Sequence, residues 1–389
     1  PGTSGLATLP ASPAAGPLDC PCPQPTFKDR LGWCPSGDCT EHPNPEMTEV
    51  THLIVHHSAG ANSASDWDAQ VRLIWDFHVN GNGWDDIGYN WLIAPTGQLY
   101  QGRGDNIRGA HFCGHNSNTM GVCVMGNYTD IIPTAAALTT LEGLLSWKAC
   151  DRDIDVLGEG YHPSSGFVVP YVAGHRDGCA TACPGDSFYP LLPALREGIA
   201  NRIVAGCVDL ASPLILDWNP IDITSYELTW LYADTSATGF TLERGTDGTT
   251  FEPIADLPAD ARNFTETDFV LGNLYYYRIK AYNDDLQSGY SNTIDVNTFA
   301  VSTSSPALPA QTLRLAPNPV GETLQLQWQL TEQAPLLIIL RDAQQRFVRQ
   351  WRSAGTPPQT LELGHLPAGA YYLQVIQGPQ QGVWPLIKR

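Results

Sequence analysis

The chain has 389 residues, 42% of them apolar, and a formal net charge of −19. That length exceeds one ordinary core, so two or three domains are expected, and the acidic balance argues against nucleic acid, whose phosphates need clustered Lys and Arg. No apolar run approaches the ~20 residues of a membrane span, so no transmembrane segment is expected. Pro1 opens no basic-then-apolar leader, so a signal peptide is expected to be already absent.

Residues 1–27 are rich in Pro, Gly, Ala and Ser and are expected to form a flexible leader. From 28 to 207, strand candidates at 52–57, 90–94, 120–126 and 171–174 alternate with helix candidates at 65–80, 135–151 and 188–205. In the second of these helices Leu138, Leu141, Leu144, Leu145 and Ala149 recur at helical spacing. The alternation predicts an α/β domain, a central mixed sheet flanked by helices. Residues 213–298 change to short alternating strands such as Tyr226–Trp230, Gly239–Arg244 and Tyr275–Ala281, with a turn signal at Asp247-Gly248. They predict a small all-β sandwich. A Ser/Thr/Pro linker over 299–312 leads to a second strand-rich segment, 313–389, also read as a small all-β sandwich; it ends on Lys388-Arg389 and carries no cluster of titratable groups.

All ten cysteines lie before residue 208, which points to an oxidising compartment. If Cys183 is spent on a metal, nine remain and at least one more is unpaired. Cys123, in the apolar run Gly121–Gly126, is the expected free thiol. Disulfides are then expected among Cys20, Cys22, Cys34, Cys39, Cys113, Cys150, Cys179 and Cys207. Cys150 is expected to pair with Cys207, because both lie just after helix candidates.

Chemistry concentrates in two places. An apolar run ends on His56-His57, and the phrase Gly174-His175-Arg176-Asp177-Gly178-Cys179-Ala180-Thr181-Ala182-Cys183-Pro184 places a second imidazole and a thiol in one loop. Two imidazoles and a thiolate suit zinc and leave a fourth position open, as in catalytic sites. The plainer alternatives are a polar residue at a strand end and a Cys179–Cys183 disulfide. His78 reads as structural, His115 and His162 as loop residues, and Trp67, Trp75 and Trp84 as core or rim.

Five segments occur in one order: Val55–Ala59; Asp86-Ile87-Gly88-Tyr89-Asn90-Trp91-Leu92-Ile93; Gly109-Ala110-His111; Asn118–Val122; and Gly174-His175 with Cys183 eight residues on. With Arg30-Leu31-Gly32-Trp33, this pattern resembles the zinc N-acetylmuramoyl-L-alanine amidases, a family that includes the peptidoglycan recognition proteins, over roughly residues 28–205. The resemblance implies one Zn²⁺ per chain on His56, His175 and Cys183, with His57 as the alternative to His56. It implies catalytic roles for Tyr89 and Thr181 beside the metal, and a substrate groove containing His57, His111 and Asn118. The expected partner is peptidoglycan or a muropeptide. Family members that only bind it commonly lack the cysteine ligand, so the alternative, a non-catalytic recognition module on a secreted adhesive protein, turns on Cys183.

Residues 213–298 resemble a fibronectin type III domain, through Leu228-Thr229-Trp230, Phe240–Arg244 and Tyr275–Ala281. Residues 313–389 resemble the type A sorting domain of the type IX secretion system. The matching segments are Leu315-Ala316-Pro317-Asn318-Pro319 and the Leu366-Pro367-Ala368-Gly369-Ala370-Tyr371 motif. That resemblance implies the type IX secretion machinery as a partner and a secreted or cell-surface location.

Overall fold

His52–His57 form β1, buried along its whole length, as expected of a strand covered on both faces. The computed structural model describes residues 20–222, 225–270, 273–298, 308–309, 312–329, 336–343, 347–353, 358–364, 366–377 and 380–389. Residues 1–19 of the expected leader and most of the expected linker 299–312 lie outside them.

In chain order β1 is followed by β2 (Trp91–Ile93), β3 (Leu99–Gln101), β4 (Thr119–Val124), the hairpin β5 (Glu159–His162) and β6 (Phe167–Pro170), and β7 (Val172–Gly174). Five of these form one mixed sheet in the order β3-β2-β4-β1-β7. β1 runs parallel to both β4 and β7, and only β3 is antiparallel to its neighbour. The helices are α1 (Arg30–Trp33), α2 (Trp67–Asp76), α3 (Ala135–Arg152) and α4 (Leu192–Val204). Asp66 and Thr134 cap α2 and α3 by accepting from Ala69 N and Ala137 N.

Strand alternation decides what each face of β1 meets. Leu53 and Val55 join Met120, Val122 and Val124 of β4 against Leu138, Leu141, Leu144 and Leu145 of α3 and Leu192, Leu195 and Ile199 of α4. The opposite face presents His52, Ile54 and His56. Above it a second core joins Val71 and Trp75 of α2 with Trp33, Leu92 and Cys123. The sheet is thus layered between helices, as the sequence pattern implied. The elements missed by that pattern, α1, β3 and the β5–β6 hairpin, span only three or four residues each, too short to show a period. Among the described residues no helix is long and apolar enough to cross a membrane.

Among the described residues after α4, the regular elements are all strands. β8 (Leu214–Asp222), β9 (Ser225–Leu231), β10 (Gly239–Gly245), β11 (Glu252–Pro258), β12 (Asn263–Glu266), β13 (Leu274–Tyr282) and β14 (Ile294–Asn297) form two sheets, β11-β10-β13-β14 and β12-β9-β8. Both contribute to one core that includes Leu228, Trp230, Phe240, Leu242, Tyr277 and Ile279. β15 (Leu313–Ala316), β16 (Thr323–Trp328), β17 (Leu336–Asp342), β18 (Phe347–Ser353), β19 (Thr360–Glu362), β20 (Gly369–Gln377) and β21 (Gln380–Lys388) form the sheets β15-β16-β19 and β18-β17-β20-β21, with a shared core of Leu324, Leu326, Ile338, Leu340, Leu373 and Val375.

The first all-β part is attached to the α/β part by more than the chain. Leu214 of β8 lies in the α3–α4 core. Asn201 of α4 donates to the Ser291 carbonyl at 2.9 Å, and Thr293 N donates to the Glu197 carboxylate at 2.8 Å. Glu142 of α3 is buried at this junction. Burial pushes its carboxyl up to about 7, against the opposing pull of Arg202. The native chain therefore holds this proton where the unfolded chain has released it. The associated stability is present below the ordinary glutamate range and is lost as pH rises toward 7. Between pH 5 and 7.5 the wild-type chain should lose up to roughly 3 kcal/mol relative to Glu142→Gln. Urea unfolding of both at the two pH values checks this; parallel losses would refute it.

Four disulfides form: Cys20–Cys150, Cys22–Cys207, Cys34–Cys39 and Cys113–Cys179, leaving Cys123 and Cys183 free and buried. The eight bridged residues are those expected, but the Cys150–Cys207 pairing is not. Each of those two takes a partner from the segment before residue 23, because that segment passes the ends of both α3 and α4. Residues 20–27, expected as part of a flexible leader, are consequently tied to the α/β domain. Thiol counting on the denatured, unreduced, metal-free chain should find two free thiols; four or more would refute the pairing.

Candidate metal centre

β1 carries His56 to its penultimate position, on the face away from α3 and α4. β7 ends at Gly174, and His175 begins a tight turn, His175–Asp177. The Asp177 carboxylate accepts from Gly174 N at 2.8 Å and from the Tyr189 hydroxyl, fixing the turn. Arg176 then folds the following loop back: its backbone N–H and Nε reach the Cys183 carbonyl at 3.2 and 3.3 Å, and its guanidinium meets the Ala182 carbonyl and Asp186. One ligand atom from each of His56, His175 and Cys183 consequently lies within 4.8 Å of the others. His56 Nδ1 stands 3.7 Å from Cys183 Sγ, and the His56 and His175 rings are 4.6 Å apart.

The donor set has the protonation a divalent cation needs. Burial, then His111, His175 and His57, holds His56 well below the usual imidazole range. Burial, then His57, brings His175 to about 4. Both rings are neutral near pH 7, with lone pairs to offer. Burial pushes the Cys183 thiol up to about 12, against the opposing pull of the His57 N–H, 3.3 Å from Sγ, and of Arg176. A buried thiol beside two neutral imidazoles is a group that a cation would deprotonate, and two nitrogens with one sulfur fit zinc.

Tyr89 follows Gly88 in the loop before β2. Its ring lies 5.2 Å from that of His56 and 5.5 Å from that of His78. Its hydroxyl sits against the Cys123 thiol. Burial, then Cys123 and Cys183, holds its proton on well above the usual range, so it can act only as a neutral donor or acceptor. Thr181 Oγ1 accepts from Cys183 N at 3.2 Å, within the same loop as Cys183.

The other expected residues take distinct places. His57 points to the opposite face from His56, where Nδ1 accepts from Tyr128 N at 3.2 Å. His111 stacks edge-on against His56, with Nδ1 3.0 Å from His56 Nε2. Asn118 stands at the amino end of β4, beside His52; its side chain donates to the Glu49 carbonyl at 2.9 Å. His78 sits on the π-helical turn Phe77–Gly81 that extends α2, stacks on Trp84, and accepts from Gly88 N at 3.0 Å. It anchors the loop that carries Tyr89. His162 is not a loop residue: it ends β5, fully buried, with Nε2 2.7 Å from the Ser117 carbonyl oxygen.

Sequence reasoning missed two asparagines and the pairing of two cysteines it expected to be bridged. Asn116 Oδ1 accepts from both His111 N and Phe112 N at 2.8 Å, which shapes the loop behind His56. Asn90, fully buried, accepts from Gly121 N and donates to the Gly104 and Ile107 carbonyls. The Cys113–Cys179 bridge flanks His175, with Cys113 Sγ 3.3 Å from Nε2. Asparagines next to glycine-rich turns were the available signal for the first two. A cavity of about 270 Å³ opens between α2 and the segment that follows β1, lined by Ser58, Trp67, Leu73, Phe77, His78 and Tyr89.

A profile of the N-acetylmuramoyl-L-alanine amidase family matches residues 46–186. Peptidoglycan-recognition protein SC2 of Drosophila simulans is 34% identical over 142 residues, covering 36% of this chain and 71% of that one. Peptidoglycan recognition protein 1 of Bos indicus is 36% identical over 149 residues, covering 37% and 70%. The N-acetylmuramoyl-L-alanine amidase of Homo sapiens is 34% identical over 181 residues, covering 45% of this chain and 28% of that longer protein. All three alignments are shorter than half of this chain, and the profile match spans His56, His175 and Cys183. The chain therefore belongs to the family of N-acetylmuramoyl-L-alanine amidases and peptidoglycan-recognition proteins.

Proposed function

We propose that the chain is a zinc-dependent N-acetylmuramoyl-L-alanine amidase, hydrolysing the amide between N-acetylmuramic acid and L-alanine in peptidoglycan, with one Zn²⁺ held by His56, His175 and Cys183. The convergence of two neutral imidazoles and a free buried thiol at one end of the sheet carries this reading. The presence of Cys183 favours catalysis over the holding of muropeptide alone. When bound, zinc supplies a Lewis acid and activates water at neutral pH.

The chain's own residues supply the rest. Tyr89, kept protonated, donates a hydrogen bond to the oxygen on which charge develops as the amide carbonyl is attacked. Thr181 accepts from Cys183 N and so has its own proton to give to the same oxygen. The cavity beside Tyr89 is the proposed substrate groove, with α2 as one wall. Mass spectrometry of products from purified peptidoglycan, with and without chelator, tests the reading. Free stem peptide beginning with L-alanine, lost with chelator, is the expected result; intact muropeptide in both would overturn it.

The sequence resemblances support the proposed domain assignment: catalytic domain 28–207, a fibronectin type III-like β-sandwich at 213–298 acting as a spacer, a linker at 299–312, and a type IX sorting sandwich at 313–389. In the last, Tyr371 of the Leu-Pro-x-Gly-x-Tyr motif donates to the Pro367 carbonyl at 3.0 Å, which gives the motif a local structural reason. Such a domain would bring the protein outside the cell or to its surface. A chain ending at residue 212 should keep its activity on soluble muropeptide while unfolding at lower temperature, since Leu214 leaves the α3–α4 core. A folded, zinc-loaded truncation without activity would contradict the assignment.

A further inference from the structure

We infer that His111 is a positioning residue that fixes the tautomer of His56 and aims its Nδ1 lone pair into the metal centre, and that its polar atoms do not contact substrate. The inference rests on the proposed metal role of His56 and concerns how the chain prepares that side chain.

The direction of every proton follows from the far end of a short chain of hydrogen bonds. Thr119 Oγ1 donates to the Asn116 carbonyl oxygen at 2.8 Å, which commits its single proton. The same oxygen lies 3.3 Å from His111 Nε2, so it can only accept there, and Nε2 must carry the proton of the neutral ring. His111 Nδ1 is then a bare acceptor. It stands 3.0 Å from His56 Nε2, which must donate to it. A neutral imidazole with its proton on Nε2 has its lone pair on Nδ1, the atom 3.7 Å from Cys183 Sγ. Reversing any link would leave two protons or two lone pairs facing each other. Metal-bound histidines depend on such outer partners to hold tautomer and ring orientation.

The fold is built to admit this ring. His111 lies over β4, on the face that carries Thr119, Gly121 and Cys123. A Cβ at Gly109 or at Gly121 would fall 2.4 Å from His111 Cδ2, so only glycine at these two positions leaves room for the imidazole. Asn116 Oδ1 holds the His111 backbone N–H at 2.8 Å, while its own carbonyl receives the Thr119 proton. Loop and strand thus fix both ends of the relay, and His111 is only 6% exposed.

Two measurements on the full chain test this. Long-range ¹H–¹⁵N spectra of the metal-free, histidine-labelled protein report tautomers directly, without metal or activity. Both His56 and His111 should carry the proton on Nε2, and Thr119→Val should release that preference. A His56 found with its proton on Nδ1 would overturn the inference. Zinc affinity, read by competition with a chromophoric chelator, should fall 10–100-fold in His111→Leu and recover in His111→Gln, whose carbonyl can accept from His56 Nε2. A His111→Leu variant with wild-type zinc affinity and a raised KM would instead make His111 a substrate contact. If the wild-type chain shows the expected tautomers but binds no zinc, the metal reading fails and the tautomer relay stands.

Discussion

Cys183→Ser should leave a folded chain that neither retains zinc nor cuts peptidoglycan. Cys183 takes part in no disulfide, so its replacement does not unstaple the domain. Its Sγ receives the His57 N–H, a contact that a serine oxygen can keep at small cost. The metal would lose its one soft ligand, and an alcohol does not ionise to replace a thiolate at neutral pH. The fall in zinc affinity should exceed the 10–100-fold typical of losing an outer hydrogen-bond partner, since a direct ligand is removed. Zinc content after gel filtration and muropeptide hydrolysis on the same sample give the answer. A serine variant that keeps stoichiometric zinc and full activity would exclude Cys183 from the ligand set.

Tyr89→Phe separates chemistry from binding. The phenyl ring preserves the contacts with His56 and His78, so the site should keep its shape and its zinc. Only the hydroxyl is lost. If it donates to the developing oxyanion, kcat and kcat/KM should fall together by on the order of 10²-fold, with KM nearly unchanged. Thr181→Ala should act in the same direction and less strongly, because a rotatable hydroxyl in a loop is a less preorganised donor. A raised KM with normal kcat would move Tyr89 into the substrate groove and out of the chemistry.

The parts of the molecule that could be read from the sequence are those whose signal is local. The apolar run ending at His56-His57 is a strand because its neighbours alternate between two covered faces. Leu138, Leu141, Leu144 and Leu145 form one helical stripe and are all buried. The three ligand candidates were visible because each sits at a strand end or in a loop of small residues, where a side chain can be aimed. What stayed hidden depends on distant partners. Nothing near Cys150 or Cys207 says that Cys20 and Cys22 will reach them across 130 and 185 residues. His162 looked like a loop residue because its partners, the Ser117 carbonyl and the rings of His52 and Phe112, lie on other segments. The His111–Thr119–Asn116 relay is invisible in sequence for the same reason: its meaning lies in the order of protons.

The disulfides also bear on survival of the chain among proteases. His56 lies in the first part of the α/β domain, and His175 and Cys183 in the last. Between them the β5–β6 hairpin exposes Tyr161, Phe167 and Val168, the kind of projecting turn at which chains are nicked. A cut anywhere from residue 151 to 171 would divide the proposed ligands between two fragments. Cys22–Cys207 and Cys113–Cys179 both span that cut. The fragments would stay covalently joined, with a bridge beside His175 itself, so a nicked molecule in an oxidising environment would remain a single assembled centre until a reductant arrived.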